Sequence, residues 1–310
     1  MWRLWAVAEG CTKTLSAIFQ KLIGSASSLE MSCIAAVIIG GMQFSAGSIG
    51  KRVSASSVIL DFKSKALLVF LGFLAGIFGT VLSIYTFALG ADLGIRTLLI
   101  SFSIVPGAII AAIVWPATDR LSGRQVFGVV VFLIAIWAML DFPNLARIMS
   151  LEAWVWLTLL LAFVSGLGEV VSRSMAVKFD VWTNNLWVGG STALFSLLAL
   201  AGITLFRNEL DIDLSRSFVL GTLAVGAIVV AMISFKIFAY QGGGTIALKK
   251  IIMPGVYLVT AMLAGVLIYG ESMTMGKVSG IILWFGSMYL ADPNAAADFC
   301  TLGRKTGGPL

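Results

Sequence analysis

Two adjacent lysines, Lys249 and Lys250, stand at the front of a long apolar stretch that continues to Tyr269. A lysine ammonium can bind an anionic group of a solute, or it can reach the polar surface of a membrane along its flexible stem. The 19 uncharged residues after Lys250 are enough to cross a bilayer as a helix. Two interpretations therefore stay open: the lysines anchor the helix at the surface, or one of them holds a substrate.

Arg96 and Tyr257 are further candidates for binding a solute. Arg96 opens another apolar stretch of 19 residues, Thr97 to Trp115, in a place roughly equivalent to that of the two lysines. It either reaches the membrane surface or supplies a second cation at the far mouth of the same cavity. Tyr257 follows Pro254 by about one helical turn, where it either packs or contacts a substrate.

Two glutamates, Glu9 and Glu169, lie in segments that are otherwise mostly apolar, and each is followed four residues later by a base, Lys13 or Arg173. An ion pair within the helix would neutralise each acid. Alternatively, each carboxylate titrates in the membrane, and protons compete with substrate for it. The adjacent base favours the charged form, which counts against protons as the coupling ion.

The chain has none of the residue sets that enzymes and pumps require. It contains no histidine, no nucleophile paired with a base and no paired acids at a fixed spacing. The three cysteines, Cys11, Cys33 and Cys300, are too far apart in sequence to suggest a metal site or a disulfide framework. A phosphate-binding Gly-x-x-x-x-Gly-Lys-Ser/Thr loop is also missing. The sequence therefore predicts no catalytic residue, no metal, no cofactor and no ATP-driven transport.

The composition is that of a membrane protein. Of the 310 residues, 59% are hydrophobic and only 12% are charged, and the mean hydropathy is +1.01. A soluble domain carries about a quarter charged residues. The net charge of +6 resides mostly in loops, so it is read as topology information and not as a nucleic-acid surface. We expect a polytopic helical protein of a bacterial inner membrane.

Nine apolar segments are long enough to cross a bilayer, and a tenth, more polar one lies at the N-terminus. Placing the N-terminus inside puts nine loop bases on the inner side against five outside, which predicts that both termini are cytoplasmic. The segments are 31–50, 66–89, 94–116, 124–141, 153–172, 184–206, 217–239, 245–269 and 277–291, with 2–23 as the tenth.

The two halves of the chain repeat each other. Glu271 to Gly280 resembles Asp119 to Gly128, since both have an acid, a hydroxyl three residues on and a glycine nine residues on. Thr86–Ile95 resembles Ile237–Ile246, and Glu9 is matched with Glu169. Because five spans per repeat is odd, the second repeat enters the membrane upside down. We therefore predict an all-α membrane protein of ten transmembrane helices in two inverted five-helix repeats, residues 1–146 and 147–292, followed by a cytoplasmic tail, 293–310.

Paired glycines and Pro-Gly dipeptides indicate how the helices pack. Gly72 with Gly76, and Gly276 with Gly280, have the spacing that permits close contact between helices. Pro106-Gly107 and Pro254-Gly255 are predicted to loosen the fourth and ninth spans and to mark them as the central pair.

The residues Tyr269-Gly-Glu-Ser-Met-Thr274 with Gly280, and the weaker copy Thr118-Asp-Arg-Leu-Ser122 with Gly128, resemble the drug/metabolite transporter superfamily, in particular its ten-span EamA-like members. The resemblance implies a secondary transporter, an exporter or exchanger, that moves a small organic metabolite by alternating access. The cavity would lie between the repeats, lined by the first, fourth, sixth and ninth spans.

Related families suggest what the charged residues do. The chain is also similar to small multidrug resistance proteins, whose proton-linked glutamate falls where Glu9 and Glu169 lie. Sugar-phosphate carriers place a base early in the ninth span, as Lys249 and Lys250 are placed, which implies an anionic group on the substrate. The alternatives are a flippase of lipid-linked groups or glycolipids and an exporter of cationic or aromatic drugs. Expected partners are the small-molecule substrate, membrane lipid and, as a candidate coupling ion, the proton; the oligomeric state is not predicted.

Overall fold

The computed structural model describes residues 1–25, 27–54, 60–116, 122–139, 151–206, 212–244 and 246–291. These residues are almost entirely helical and contain no strand. A helix satisfies every backbone hydrogen bond within its own segment, which is what the hydrocarbon of a bilayer demands. The prediction of an all-helical membrane protein is thereby confirmed.

We number the helical segments in chain order. They are α1 Trp2–Gly24, α2 Leu29–Val53, α3 Phe62–Ala88, α4 Leu93–Val114, α5 Gly123–Met139, α6 Ala153–Ala176, α7 Val181–Phe206, α8 Arg216–Gln241, α9 Ile246–Tyr269 and α10 Met275–Ala291.

Seven of these helices, namely α2, α3, α4, α6, α7, α8 and the part of α9 from Ile252, are long and apolar enough to cross a membrane. The helix α1 is long enough, but four of its residues are charged. The helices α5 and α10 have 17 residues each, or about 25 Å of helix, somewhat less than the hydrocarbon core of about 30 Å. The count of ten spans therefore stays a prediction.

Short polar residues fix where several helices begin. Ser28, Asp61, Asp92 and Ser215 each accept a hydrogen bond from a backbone N–H three residues on, at the start of α2, α3, α4 and α8. Such caps satisfy N–H groups that the first turn of a helix leaves free. At the exposed end of α3, hydrogen bonding from Ser64 lowers the pKa of Asp61.

Two helices are irregular where they approach the centre of the molecule. The helix α3 widens to a π-helix over Leu74–Leu82, and α4 is interrupted at Phe102 and Ser103. Pro106 explains the second irregularity, because it offers no N–H to the carbonyl of Phe102. The helix α9 runs unbroken through Pro254, so the predicted loosening occurs in α4 and not in α9.

The helices pack across the two halves of the chain. Here α2 lies against α7, α1 against α8 and α9, α6 against α3 and α4, α4 against α9, and α5 against α10. A Cβ on Gly72 would lie 2.4 Å from Ser191 Cβ, and one on Gly280 would lie 2.0 Å from Met139 Cγ. The close helix contacts predicted for these two glycines are therefore confirmed.

Candidate functional site

A cavity of about 210 Å³ lies between helices of the two halves. Its wall is formed by residues of α1, α2, α3 and α4 from the first half and of α6, α7, α8 and α9 from the second. The π-helical part of α3 forms part of this wall. Six ionisable side chains face the cavity, which is unusual inside an apolar bundle: Glu9, Lys13, Arg96, Glu169, Lys236 and Tyr257.

Lys249 bridges two glutamates that come from different helices. Its side chain is fully buried, and its Nζ lies 2.9 Å from Glu9 Oε2 and 3.2 Å from Glu169 Oε2. A lysine that anchors a helix at the membrane surface would extend into the polar layer instead. For Lys249 the anchoring interpretation is therefore wrong, and the structure brings together three of the residues singled out in the sequence.

Two side chains of α8 complete this arrangement. The hydroxyl of Tyr240 donates to Glu169 Oε2, and Lys249 Nζ lies 4.4 Å from the centroid of the Tyr240 ring. Lys236 Nζ lies 3.4 Å from Glu169 Oε1. We call Glu9, Glu169, Lys236, Tyr240 and Lys249 the Lys249 cluster. A buried ion is tolerated only when it is paired and hydrogen-bonded, and the cluster meets that requirement for both acids.

Sequence reasoning did not identify the two members of the cluster on α8. In the sequence, Lys236 is one more base near the inner end of a predicted transmembrane helix. A signal for Lys236 exists, because it lies five residues inside the end of an otherwise apolar helix. Tyr240 has no such signal, since a tyrosine near the end of a transmembrane helix is ordinary.

The ion pair of Glu9 crosses to another helix. Its partner is Lys249 of α9, whereas Lys13, one turn along α1, places its Nζ 5.1 Å from the centroid of the Tyr257 ring. Pairing of Glu9 within its own helix is therefore wrong. Glu169 likewise contacts Lys249 and Lys236 on other helices. For Glu9, packing between helices thus determines the ion pair more than the i,i+4 spacing does.

Arg96 is buried against α3 and is not an anchor at the surface. Only 1% of its area is exposed. Its Nε donates to Thr86 Oγ1 at 2.8 Å, and its Nη2 donates to Ser83 Oγ at 2.5 Å and to Ser83 O at 3.1 Å. Its guanidinium also lies 4.4 Å from the centroid of the Phe87 ring. The surface interpretation is wrong for Arg96, and a role in the cavity stays open.

Lys13 and Arg96 are cations without an acidic partner. Within the described part of the chain, no carboxylate lies at ion-pair distance from either side chain. Both neighbour Tyr257, which is 2% exposed and lines the cavity. The side chain of Lys250 lies outside the described residues, so its predicted role is not addressed.

A second set of charges lies at the other end of α9, about 30 Å of helix away from Lys249. Glu271 Oε1 accepts from Leu93 N at 2.6 Å and from Lys21 Nζ, and Glu271 Oε2 accepts from Gly94 N at 3.2 Å. A carboxylate at the N-terminus of α4 is favoured by the free N–H groups and by the helix dipole. This contact ties α1 and α4 to the segment between α9 and α10.

Lys277 of α10 forms a second contact between the two halves at the same end, with Asp92 at the start of α4. Its Nζ donates to Asp92 Oδ2 at 2.9 Å and to Ser272 O at 2.8 Å. Burial opposes ionisation of Asp92, but its bonds with Ile95 N and Lys277 prevail and lower its pKa. We call Lys21, Asp92, Glu271 and Lys277 the Glu271 cluster. Asp119, the predicted counterpart of Glu271, lies outside the described residues.

No protein-family model matches the chain, and no curated protein matches it. A solved crystal structure resembles it at 17% sequence identity, with a TM-score of 0.61 over 94% of this chain and 98% of the other. At this identity the likeness concerns the fold alone. Among the described residues, no group of three or more histidine, cysteine or acidic side chains could hold a metal ion.

Proposed function

We propose that the protein is a secondary transporter of the drug/metabolite transporter type, which moves a small organic metabolite by alternating access. The observation that carries the proposal is the cavity between the two halves, whose wall contains buried charged side chains. Such residues are costly inside a membrane and usually mark a substrate or ion pathway. We further propose that both termini are cytoplasmic, on the basis of the loop charges, and we keep a bacterial inner membrane as the expected location.

The local geometry of α4 and α9 supports two equivalent repeats. Each helix is entered through a glycine of positive φ three residues before its start, Gly90 at 89° and Gly243 at 91°. Arg96 is the fourth residue of α4, and Lys249 is the fourth residue of α9. Phe87 and Tyr240 each precede the respective cation by nine residues, and each ring lies 4.4 Å from that cation.

The packing of the helices supports an inverted arrangement. If the halves are equivalent, α1 corresponds to α6, α3 to α8 and α4 to α9. The contact of α1 with α8 then corresponds to that of α6 with α3, and the contact of α1 with α9 to that of α6 with α4, and all four contacts occur. The pairs α2 with α7, α4 with α9, and α5 with α10 are each converted into themselves. Inverted repeats of this kind surround the substrate site in many secondary transporters.

The same register argues against the sequence match of Glu9 with Glu169. Counting back from the ends of α1 and α6, Gly24 and Ala176, Glu9 is equivalent to Leu161, and Glu169 is equivalent to Ala17. Residues exchanged by an inverted repeat lie at opposite depths, yet both glutamates contact one ammonium group. We therefore propose that Glu9 and Glu169 lie at the same mouth of the cavity but are not equivalent positions of the two repeats.

The Glu271 cluster supports a transport cycle in which the two mouths open in turn. It closes one end by joining α1 and α4 of the first half to the α9–α10 segment of the second half. Opening that end would break these contacts and move one half against the other. Both glutamates at the opposite end already have lysine partners, which does not favour the alternative of a cationic-drug exporter.

Transport by purified protein in liposomes tests this proposal. Vesicles loaded with one member of a panel of anionic, zwitterionic, cationic and neutral metabolites are exposed to the same solute carrying a radioactive label. We expect labelled solute to accumulate by exchange for at least one compound, and protein-free vesicles provide the baseline. If no solute of any class exchanges, although the inserted protein stays folded, the transporter proposal fails.

A further inference from the structure

The charges around the cavity do not balance. In the described cavity lining taken together with Lys249, which pairs with the acids from behind the wall, two acids stand against four bases, and two positive charges are in excess when all are ionised: Glu9 and Glu169 against Lys13, Arg96, Lys236 and Lys249. The acids are occupied, because Lys249 bridges both and Lys236 contacts Glu169. The excess therefore resides on Lys13 and Arg96. Uncompensated charge in a region of low dielectric constant is unfavourable, so the cavity favours a ligand with negative charge.

Lys13 and Arg96 approach the cavity from different helices, and both neighbour Tyr257. The Nζ of Lys13 lies 5.1 Å from the centroid of the Tyr257 ring, and Arg96 neighbours the same side chain. Hydrogen bonds to Ser83 and Thr86 use Nε and Nη2 of Arg96, so its guanidinium is held in one orientation before a ligand arrives. A preorganised guanidinium suits a carboxylate or phosphate better than a mobile ammonium does.

Gln43 of α2 provides an independent indication of a hydrogen-bonding ligand. It lines the cavity and is 2% exposed, and its Nε2 has no hydrogen-bond partner among the described residues. Buried amide donors are almost always satisfied, so an orphaned one at a cavity wall calls for an acceptor. An oxygen of an anionic ligand would provide that acceptor.

The volume of the cavity limits the size of the ligand. An apolar protein cavity of about 150 Å³ holds benzene, which has six carbon atoms. By proportion, 210 Å³ accommodates about eight non-hydrogen atoms. A four-carbon dicarboxylate has this size and a phosphate monoester of a three-carbon compound is slightly larger, and both carry two negative charges near neutral pH.

Building on the transport function above, we propose that the substrate is a compact organic dianion that binds between Lys13 and Arg96, with Gln43 as an additional donor. Lys249 is not its ligand, because Glu9 and Glu169 already neutralise that ammonium. This assigns the anion to residues other than the two lysines that open α9.

The test is thermal stabilisation of the detergent-purified full chain by succinate and by glycerol phosphate, against glycerol and choline at equal ionic strength. We expect the two dianions to raise the melting temperature. Lys13→Met and Arg96→Met should each raise the concentration for half-maximal stabilisation about tenfold or more, as expected for loss of a charged hydrogen bond. The same change at the exposed Lys63, Lys63→Met, should leave it unaltered.

Because Arg96 also ties α4 to α3, Gln43→Glu provides a variant that leaves those bonds intact. It adds a negative charge to the cavity wall, and we expect it to abolish stabilisation by dianions, while Gln43→Leu only weakens it. Two results would overturn the inference. In the first, dianions stabilise the protein no better than glycerol or choline do. In the second, dianions stabilise Lys13→Met and Gln43→Glu as strongly as they stabilise Lys63→Met and the unmodified protein.

Comparing the two dianions distinguishes two classes of substrate. Stronger stabilisation by succinate indicates dicarboxylates, and stronger stabilisation by glycerol phosphate indicates phosphate esters. Exchange in liposomes separates this inference from the proposed function. Exchange of cations or neutral solutes alone would overturn the anion site and retain the transporter. Binding of dianions without any exchange would retain the anion site and contradict the transporter.

Discussion

Lys249 is the residue that joins the two acids at one mouth of the cavity, since its ammonium contacts both Glu9 and Glu169. Changing Lys249→Met keeps the length of the side chain but leaves two buried carboxylates without their shared cation. Breaking a buried ion pair in this way costs about 3–5 kcal/mol. We expect a loss of that size in the free energy of unfolding, measured by titrating the protein from mild detergent into sodium dodecyl sulfate.

A second substitution separates this electrostatic effect from lost packing. Adding Glu9→Gln to Lys249→Met removes the charge of the acid that pairs with Lys249 but not with Lys236, so it should restore part of the stability. The exposed Lys63→Met is the matched control and should change stability by less than about 0.5 kcal/mol. If the double variant is no more stable than Lys249→Met alone, the charge bridge does not explain the effect.

The residue types of the site were predictable from sequence, but their partners were not. A charge in an apolar helix is conspicuous, which is why Lys249, Arg96, Glu9 and Glu169 stood out, and the structure buries all four. Which charges meet depends on how helices far apart in sequence pack, and the spacing of residues does not contain that information. Their roles in binding substrate, and that of Tyr257, stay predictions.

At the level of helices, neighbouring glycines of α2 differ in what they contact. A Cβ on Gly40 would lie 2.6 Å from Ala193 N and 2.8 Å from Gly189 O, whereas nothing lies within 4 Å of a Cβ on Gly41. Backbone atoms of α7 cannot move away cheaply, so we expect Gly40→Ala to destabilise by about 1–3 kcal/mol. Gly41→Ala should be neutral or stabilise by up to about 1 kcal/mol, because alanine is the better helix former.

The two unfolding free energies, measured side by side in the same detergent, check this prediction. Equal effects of the two changes would mean that α2 and α7 are not in close contact. The comparison is well matched, because both sites lie in the middle of one helix and receive the same methyl group.

The tie between α4 and α10 should depend on pH in a defined way. The bonds that Asp92 makes with Ile95 N and Lys277 lower its pKa in the folded protein. A lowered carboxyl pKa contributes stability that is complete above the unfolded value of about 3.9 and is lost as the pH falls through the folded value. We therefore expect this tie to be constant from about pH 5 to 8 and to weaken only below about pH 4.

Asp92→Asn tests the tie directly. At pH 7 the loss of the charged bond to Lys277 should lower the free energy of unfolding by about 1–3 kcal/mol. As the pH falls below about 4, the difference between the variant and the unmodified protein should shrink, since Asp92 becomes protonated first in the unfolded chain and then, through its lowered pKa, in the folded one. A constant difference between the two proteins across that range would contradict the assignment.

The positions of the helices followed closely from hydropathy, because a run of apolar residues must lie in lipid or against other helices. The segments predicted at 94–116 and 124–141 occur as Leu93–Val114 and Gly123–Met139. The π-helix of α3 was not predictable, since Leu74–Leu82 is as apolar as an ordinary transmembrane turn. Such wide turns are rare and frequently occur at functional sites, as this one does at the wall of the cavity.

For the molecule as a whole, alternating access requires that the end closed by the Glu271 cluster opens during each cycle. Replacing Lys21 and Glu271 by cysteines, with the native cysteines changed to alanine, allows a short thiol-reactive cross-linker to hold α1 to the α9–α10 segment. We expect cross-linking to block exchange in liposomes at least tenfold and reducing agent to restore it when the linker is cleavable. Each single cysteine variant treated with the same reagent is the control.

Thermal stabilisation by ligand distinguishes a locked transporter from a damaged one. The cavity lies between the clusters, so the cross-linked protein should still bind ligand that reached the cavity before the linker was added, and its melting temperature should stay raised. A channel or a static binding protein would not need to separate α1 from α9. Unchanged exchange after complete cross-linking would therefore show that the two halves do not rock apart at this end, and the alternating-access proposal would have to be abandoned.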